Sequence, residues 1–136
     1  MASTAALLHD SFPHFFWVGF YLPDDDDSLV VGPYQGPLAC IRLPAGRGVC
    51  GDAFRRKETV IVPDVHAVPD HIACDPRSNS EIVVPLRQGD KVVAVLDVDS
   101  ERKNAFTEDD RAGLERVAEL VALRIGRGPG AGGREQ

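Results

Sequence analysis

Apolar residues in this chain repeat with two different periods. Residues 15–22 (FFWVGFYL) are aromatic and β-branched and predict a strand. Alternation puts Trp17, Gly19 and Tyr21 on one face and Phe16, Val18 and Phe20 on the other, with open space expected over Gly19. Residues 29–34 return as a second strand after PDDDD, a solvated hairpin tip rather than a cation site. Residues 38–43 (LACIRL) predict a short third strand carrying Cys40, and 59–62 and 81–86 two more. Residues 91–100 (KVVAVLDVDS) stay apolar without alternation until their end, so this strand should be central and covered on both sides.

The helical period is clearest from 104 to 125. Leu114, Val117, Ala118, Val121, Ala122 and Ile125 recur at three and four, Thr107 and Asp110 make a capping-box-like pair, and Gly126 stops the helix. Residues 1–10 read as the last turns of another helix. Residues 44–58 read as a glycine-rich turn into a short helix with Val49, Ala53 and Phe54 on its apolar side and Cys50 in its first turn. Between 62 and 79 runs a long connection with Pro63, Pro69 and Pro76. Loops of that length in a compact domain usually carry function, and this one holds His66, His71 and Cys74. The order predicts an α+β domain over 1–126, followed by a disordered glycine-rich tail at 127–136. An antiparallel sheet would hold the terminal helices on one face and a loop-covered pocket on the other.

Composition narrows the classes. The chain has 136 residues, is 43% hydrophobic and carries a formal charge of -6. That charge argues against nucleic acid, whose phosphates need clustered Lys and Arg, and against an anionic membrane surface. No apolar run approaches the roughly 20 residues that span a bilayer, and residues 1–10 do not read as a signal peptide. The expected compartment is the cytoplasm. Three cysteines are too few for a disulfide scaffold.

The candidate chemistry sits around HIACDPRSNSEIVVPL, residues 71–86. A loop there presents Cys74, and a strand opened by Glu81 follows. Taken alone, such a cysteine is as readily inert filler as a nucleophile; His71 would favour its thiolate and Asp75 oppose it. Asp97 and Asp99, two apart on the central strand, share a face, and Glu81 on a neighbouring strand can join them. Three acids in one cavity suit a bound ammonium, a proton donor or a metal, and like charges should raise at least one pKa. No C-x-x-C or H-x-x-x-H spacing supports zinc, and Gly46, Gly48 and Gly51 do not form a phosphate loop.

Taken together, FWVGFYL, LVVGPYQGPLACIRLPAGRGVCG, VPDVHAVPDHIACDPRSNSEIVVPL and VLDVDS with its FTEDD helix resemble the free methionine-(R)-sulfoxide reductases, small catalytic GAF-domain proteins. The resemblance covers about residues 16–120. It implies that Cys74 is the catalytic thiol, that Cys40 closes a disulfide with it, and that Cys50 supports or substitutes for the resolving thiol. It implies that Glu81, Asp97 and Asp99 bind the polar groups of substrate, with Glu81 or Asp99 as proton donor, and that Trp17 and Tyr21 wall the S-methyl end. It further implies free methionine-(R)-sulfoxide as substrate, a thioredoxin-like reductant, no metal or organic cofactor, and a homodimer. The family's longer N-terminal helix is cut short here. The same element order would also serve a non-catalytic GAF small-ligand sensor or a thiol redox sensor.

Overall fold

The computed structural model describes residues 1–125; the tail expected at 127–136 and the stop at Gly126 lie outside them. In chain order the elements are α1 (Ala2–Ser11), β1 (Trp17–Pro23), β2 (Leu29–Gln35), β3 (Arg42–Leu43), α2 (Gly48–Arg56), β4 (Val60–Val62), β5 (Ser80–Gln88), β6 (Lys91–Ser100) and α3 (Glu108–Ala122). The six strands form one sheet in the order β3-β2-β1-β6-β5-β4, every neighbouring pair antiparallel. The most apolar strand, β6, lies between β1 and β5, as its unbroken hydrophobic run requires.

The period-two pattern sorts residues between two apolar layers. Val18 and Phe20 of β1, Ile82, Val84 and Leu86 of β5, and Ala94, Leu96 and Val98 of β6 pack against Ala5 and Leu8 of α1 and Leu114, Ala118 and Ala122 of α3. The opposite face carries Trp17, Tyr21, Val83 and Val95, covered by Val49, Cys50 and Ala53 of α2 and by Val65 from the long connection. The terminal helices therefore share one face, and α2 with the connection roofs the other.

Three local expectations change. The third strand keeps only Arg42 and Leu43, and Cys40 stands in the irregular segment before it. Gly36, at φ +128, and Pro37 turn the chain away, and it rejoins β2 from the Ile41 carbonyl onward, which accepts from the Val31 amide at 2.9 Å. The last helix starts later than residue 104. Asn104 takes a left-handed φ of 53°, Ala105 donates to Ser80 Oγ at 3.3 Å, and the capping box at Thr107 and Asp110 then opens α3. The space over Gly19 is occupied: a Cβ there would sit 2.5 Å from the Trp17 indole and 2.4 Å from Tyr34 Cβ.

The long connection is pinned rather than loose. Its start gives the Pro63 carbonyl to the Asn104 amide at 2.8 Å, and its end gives the Asn79 amide to the Ser100 carbonyl at 2.7 Å. Asn79 Nδ2 also donates to the Glu101 carbonyl at 2.7 Å, and Val65 donates to the Asn79 carbonyl at 2.9 Å. A loop tied at both ends can hold a reactive side chain in place.

Leu96 is fully buried at the centre of β6 and touches the layer under both terminal helices. Leu96→Ala should lower unfolding free energy by about 2–5 kcal/mol, read from urea denaturation. A loss below about 1 kcal/mol would contradict this packing.

Candidate active site

The register of the sheet builds the site. Trp17 lies opposite Asp99, Asp99 opposite Glu81, and Glu81 opposite Val62, so one row crosses four strands. The next row sets Gly19 opposite Asp97 and Asp97 opposite Val83. Because Gly19 lacks a side chain, the Trp17 ring lies over it, stacked at 5.9 Å on Tyr21 and 5.1 Å on Tyr34. Three carboxyl groups and an aromatic wall thus share the face that α2 and the long connection roof.

These carboxyl groups are not equivalent. Glu81 is only 6% exposed and Asp97 only 5%, while Asp99 is partly open to the cavity. Burial, reinforced by the charges of Asp99 and Glu81, pushes the Asp97 carboxyl well above the usual carboxylate range. Burial and the Glu81 charge do the same to Asp99. Burial alone would raise Glu81 as well. The His71 imidazole, with Nε2 3.6 Å from Glu81 Oε1, and hydrogen bonds from Asp97 and Asp99 bring it below its ordinary value instead. Negative charge is therefore favoured on Glu81 over its two neighbours. Asp97 Oδ1 is buried with no hydrogen-bond partner among the described residues, an expense that a bound polar group would offset.

Cys74 is exposed in the long connection and is joined to Cys40 by a disulfide, with Cα atoms 5.4 Å apart. Two aromatic side chains hold the segment that bears Cys40. Trp17 Nε1 donates to the Pro37 carbonyl at 3.0 Å, and the Tyr21 hydroxyl donates to the Cys40 carbonyl at 3.2 Å. Burial, then the nearby acids led by Asp97, raise the Tyr21 hydroxyl further, so it remains a donor. Asp75 does not confront the sulfur unneutralised. Arg77 grips it through Nε at 3.0 Å and Nη2 at 2.8 Å, and that pairing holds the carboxyl below its ordinary value.

Cys50 is a free thiol buried in the first turn of α2. Burial, with Asp97 and Glu81 beside it, pushes its pKa well up. Its Sγ and one oxygen each from Glu81 and Asp97 lie within 4.8 Å of one another, a set that could hold a metal ion. Sequence spacing cannot flag that set, because its members come from α2, β5 and β6.

Between the aromatic wall and the acids remains a cavity of about 40 Å³, bordered by Trp17, Tyr21, His71, Cys74, Glu81, Asp97 and Asp99. That is the room of roughly one water molecule. A larger depression of about 810 Å³ lies elsewhere, between the hairpin tip and α2, lined by Asp24, Asp25, Lys57 and Lys91 among others. It holds none of the cysteines or buried acids, so its size does not make it the site.

All the candidate residues meet here: Trp17, Tyr21, Cys40, Cys50, Cys74, Glu81, Asp97 and Asp99. Two neighbours were not among them. His71 had a visible place in the loop, but nothing local tied it to Glu81. Phe16, assigned to the opposite face by alternation, borders the cavity because β1 begins only at Trp17, and Arg77 stacks 4.8 Å above its ring. His66 is elsewhere, paired with Asp64 at 3.0 Å.

Comparison with known proteins places this geometry. The GAF domain family matches residues 4–125. The chain is 49% identical over 121 residues to the free methionine-R-sulfoxide reductase of Escherichia coli strain K12, covering 88% of this chain and 73% of that one. The structure of the Neisseria meningitidis free methionine-R-sulfoxide reductase in complex with its substrate superposes with a TM-score of 0.88 at 52% identity, covering 91% of this chain and 74% of the other. The reduced form of fRMsr of Staphylococcus aureus gives a TM-score of 0.86 at 41% identity, covering 91% and 80%. Among the described residues no helix is long and apolar enough to cross a membrane. With its disulfide set over a row of buried acids on a GAF sheet, this chain belongs to the free methionine-R-sulfoxide reductases, a family of oxidoreductases.

Proposed function

We propose that this protein reduces free L-methionine-(R)-sulfoxide to L-methionine through a sulfenic acid on Cys74 and a Cys40–Cys74 disulfide. The observation that carries the reading is that disulfide, spanning 34 residues and closing over a cavity floored by Glu81, Asp97 and Asp99. An exposed disulfide over buried, partly protonated acids suits a two-electron oxygen transfer better than ligand sensing.

In the reduced protein the Cys74 thiolate attacks the sulfoxide sulfur. The sulfoxide oxygen must gain a proton as its bond to sulfur weakens. Asp99 and Asp97, held neutral by burial and by the Glu81 charge, are the donors. The anionic Glu81, steadied by His71, keeps the shared protons on its neighbours. Methionine leaves, and the oxygen stays on Cys74 as a sulfenic acid. The Cys40 thiol then attacks Cys74 Sγ and the oxygen departs as water. One sulfoxide and two thiols become one thioether, one disulfide and one water.

Trp17 and Tyr21 supply the apolar wall for the S-methyl end. Cys50, protonated and buried, supports the pocket, and it can act as a resolving thiol only after α2 shifts. In the disulfide form the cavity is too small for the amino acid, so the Cys40 segment opens when the bond is reduced. The enclosed floor suits a free amino acid over a residue within a folded chain. A thioredoxin-type dithiol restores both thiols by exchange in a reducing cytoplasm.

Cys74→Ser should end methionine formation from the free R-sulfoxide, measured by amino-acid analysis; retained turnover would overturn the reading. Cys40→Ser should complete one turnover and stop with a sulfenic acid on Cys74 that dimedone traps. If it cycles at the parent rate with thioredoxin, Cys40 is not the resolving thiol.

The acids also predict how stability follows pH. Asp97 binds its proton more tightly folded than unfolded, so the folded chain holds more protons above the unfolded carboxylate range. Its contribution to stability therefore falls as pH rises from that range toward the raised folded pKa. Asp97→Asn removes this slope. The variant should gain in relative stability from pH 5 to pH 8 while losing turnover, read by denaturation at both pH values. A parent and variant with parallel pH profiles would contradict the assignment.

A further inference from the structure

We infer that Leu38 and Ile41, on either side of the disulfide-bonded Cys40, form the docking surface for a protein dithiol whose nucleophilic sulfur sits in an apolar collar. This rests on the reductase reading, which leaves an oxidised Cys40–Cys74 pair after every turnover. Scattered exposed leucines need no explanation, but this pair differs from the rest.

Leu38 is 86% exposed and Ile41 75%, the two most exposed among the large hydrophobic residues described. Their backbone is not slack. The Pro37, Cys40 and Ile41 carbonyls are held by Trp17 Nε1, the Tyr21 hydroxyl and the Val31 amide. Two largely exposed apolar side chains, Leu38 at the rim of the cavity, thus stand on an anchored segment beside a disulfide whose other half, Cys74, is also exposed. The charged residues adjacent in the chain are already paired: Asp75, beside Cys74, with Arg77, and Arg42, beside Ile41, with Asp24 at 2.9 Å. The surface around the disulfide offers apolar contact with a neutralised rim. That fits a partner that brings a thiolate to the bond within an apolar rim, as a thioredoxin-type dithiol does.

The exchange balances. A partner thiolate bonds to Cys74 Sγ, the Cys40–Cys74 bond breaks, and Cys40 leaves as a thiolate and takes a proton. The partner's second thiol, losing its proton, displaces Cys74. The partner ends oxidised by two electrons, and both cysteines are reduced.

The test uses the pre-oxidised chain without any sulfoxide, so it reads docking whether or not the substrate is right. Reduced thioredoxin and dithiothreitol are compared as reductants, and thiol labelling with mass spectrometry follows loss of the disulfide. The parent should be reduced far faster by thioredoxin than by dithiothreitol. Ile41→Asn should slow the thioredoxin reaction about tenfold and leave the dithiothreitol rate unchanged, while Ile41→Met keeps both. The inference fails if Ile41→Asn leaves the thioredoxin rate intact or slows both reductants equally. It also fails if thioredoxin shows no advantage on the parent, or if gel filtration shows that Ile41→Asn splits a dimer, which would make a second copy the occupant.

Discussion

Glu81, Asp97 and Asp99 share one face of two neighbouring strands, β5 and β6, where burial and mutual repulsion oppose ionising all three. Their strands are the inner ones of the sheet, so moving the acids outward would mean breaking the register that buries Ile82, Leu96 and Val98 on the other face. The protein keeps them and settles their charge unevenly. Beside His71 the Glu81 carboxyl is held below its ordinary value, while Asp97 and Asp99 are pushed above theirs. A site whose aspartic acids hold their protons more tightly than free carboxyls do follows from that unevenness. Asp97 Oδ1, which has no hydrogen-bond partner among the described residues, would be satisfied by a bound polar group.

The rest of the fold serves this row. Both terminal helices pack on the far face and leave the near face to α2 and the long connection. Gly19 opens the room that the Trp17 ring fills, and the ring in turn reaches Pro37 and steadies the segment with Cys40. Tyr21, two same-face positions further along β1, does the same at the Cys40 carbonyl. The aromatic wall is thus shared between the cavity and the resolving segment, so closing the disulfide and closing the cavity involve the same side chains.

Much of this was legible in the sequence. The i, i+2 spacing of Asp97 and Asp99 on an apolar strand fixed their common face, and the helical stripe from Leu114 to Ile125 marked the helix that covers the other. Glu81 could be placed next to them as the first residue of the strand expected beside theirs. What was not legible depends on contacts distant in sequence. The joining of Cys40 to Cys74 came through family resemblance, since no local pattern links residues 34 apart. The His71 to Glu81 contact needs the path of an irregular loop. The shortened third strand reflects Gly36 and Pro37 outweighing the apolar pattern of LACIRL, and the filled space over Gly19 reflects a rotamer of Trp17 that alternation does not specify.

The most direct test is a single turnover without reductant. The fully reduced protein is mixed with one equivalent of free methionine sulfoxide, as the R or the S epimer, and methionine and protein thiols are counted together. The account predicts one methionine per chain from the R epimer alone, with loss of two thiols assigned to Cys40 and Cys74 while Cys50 stays free. Methionine formed without loss of those thiols, or no methionine from a protein that retains its fold, would contradict it.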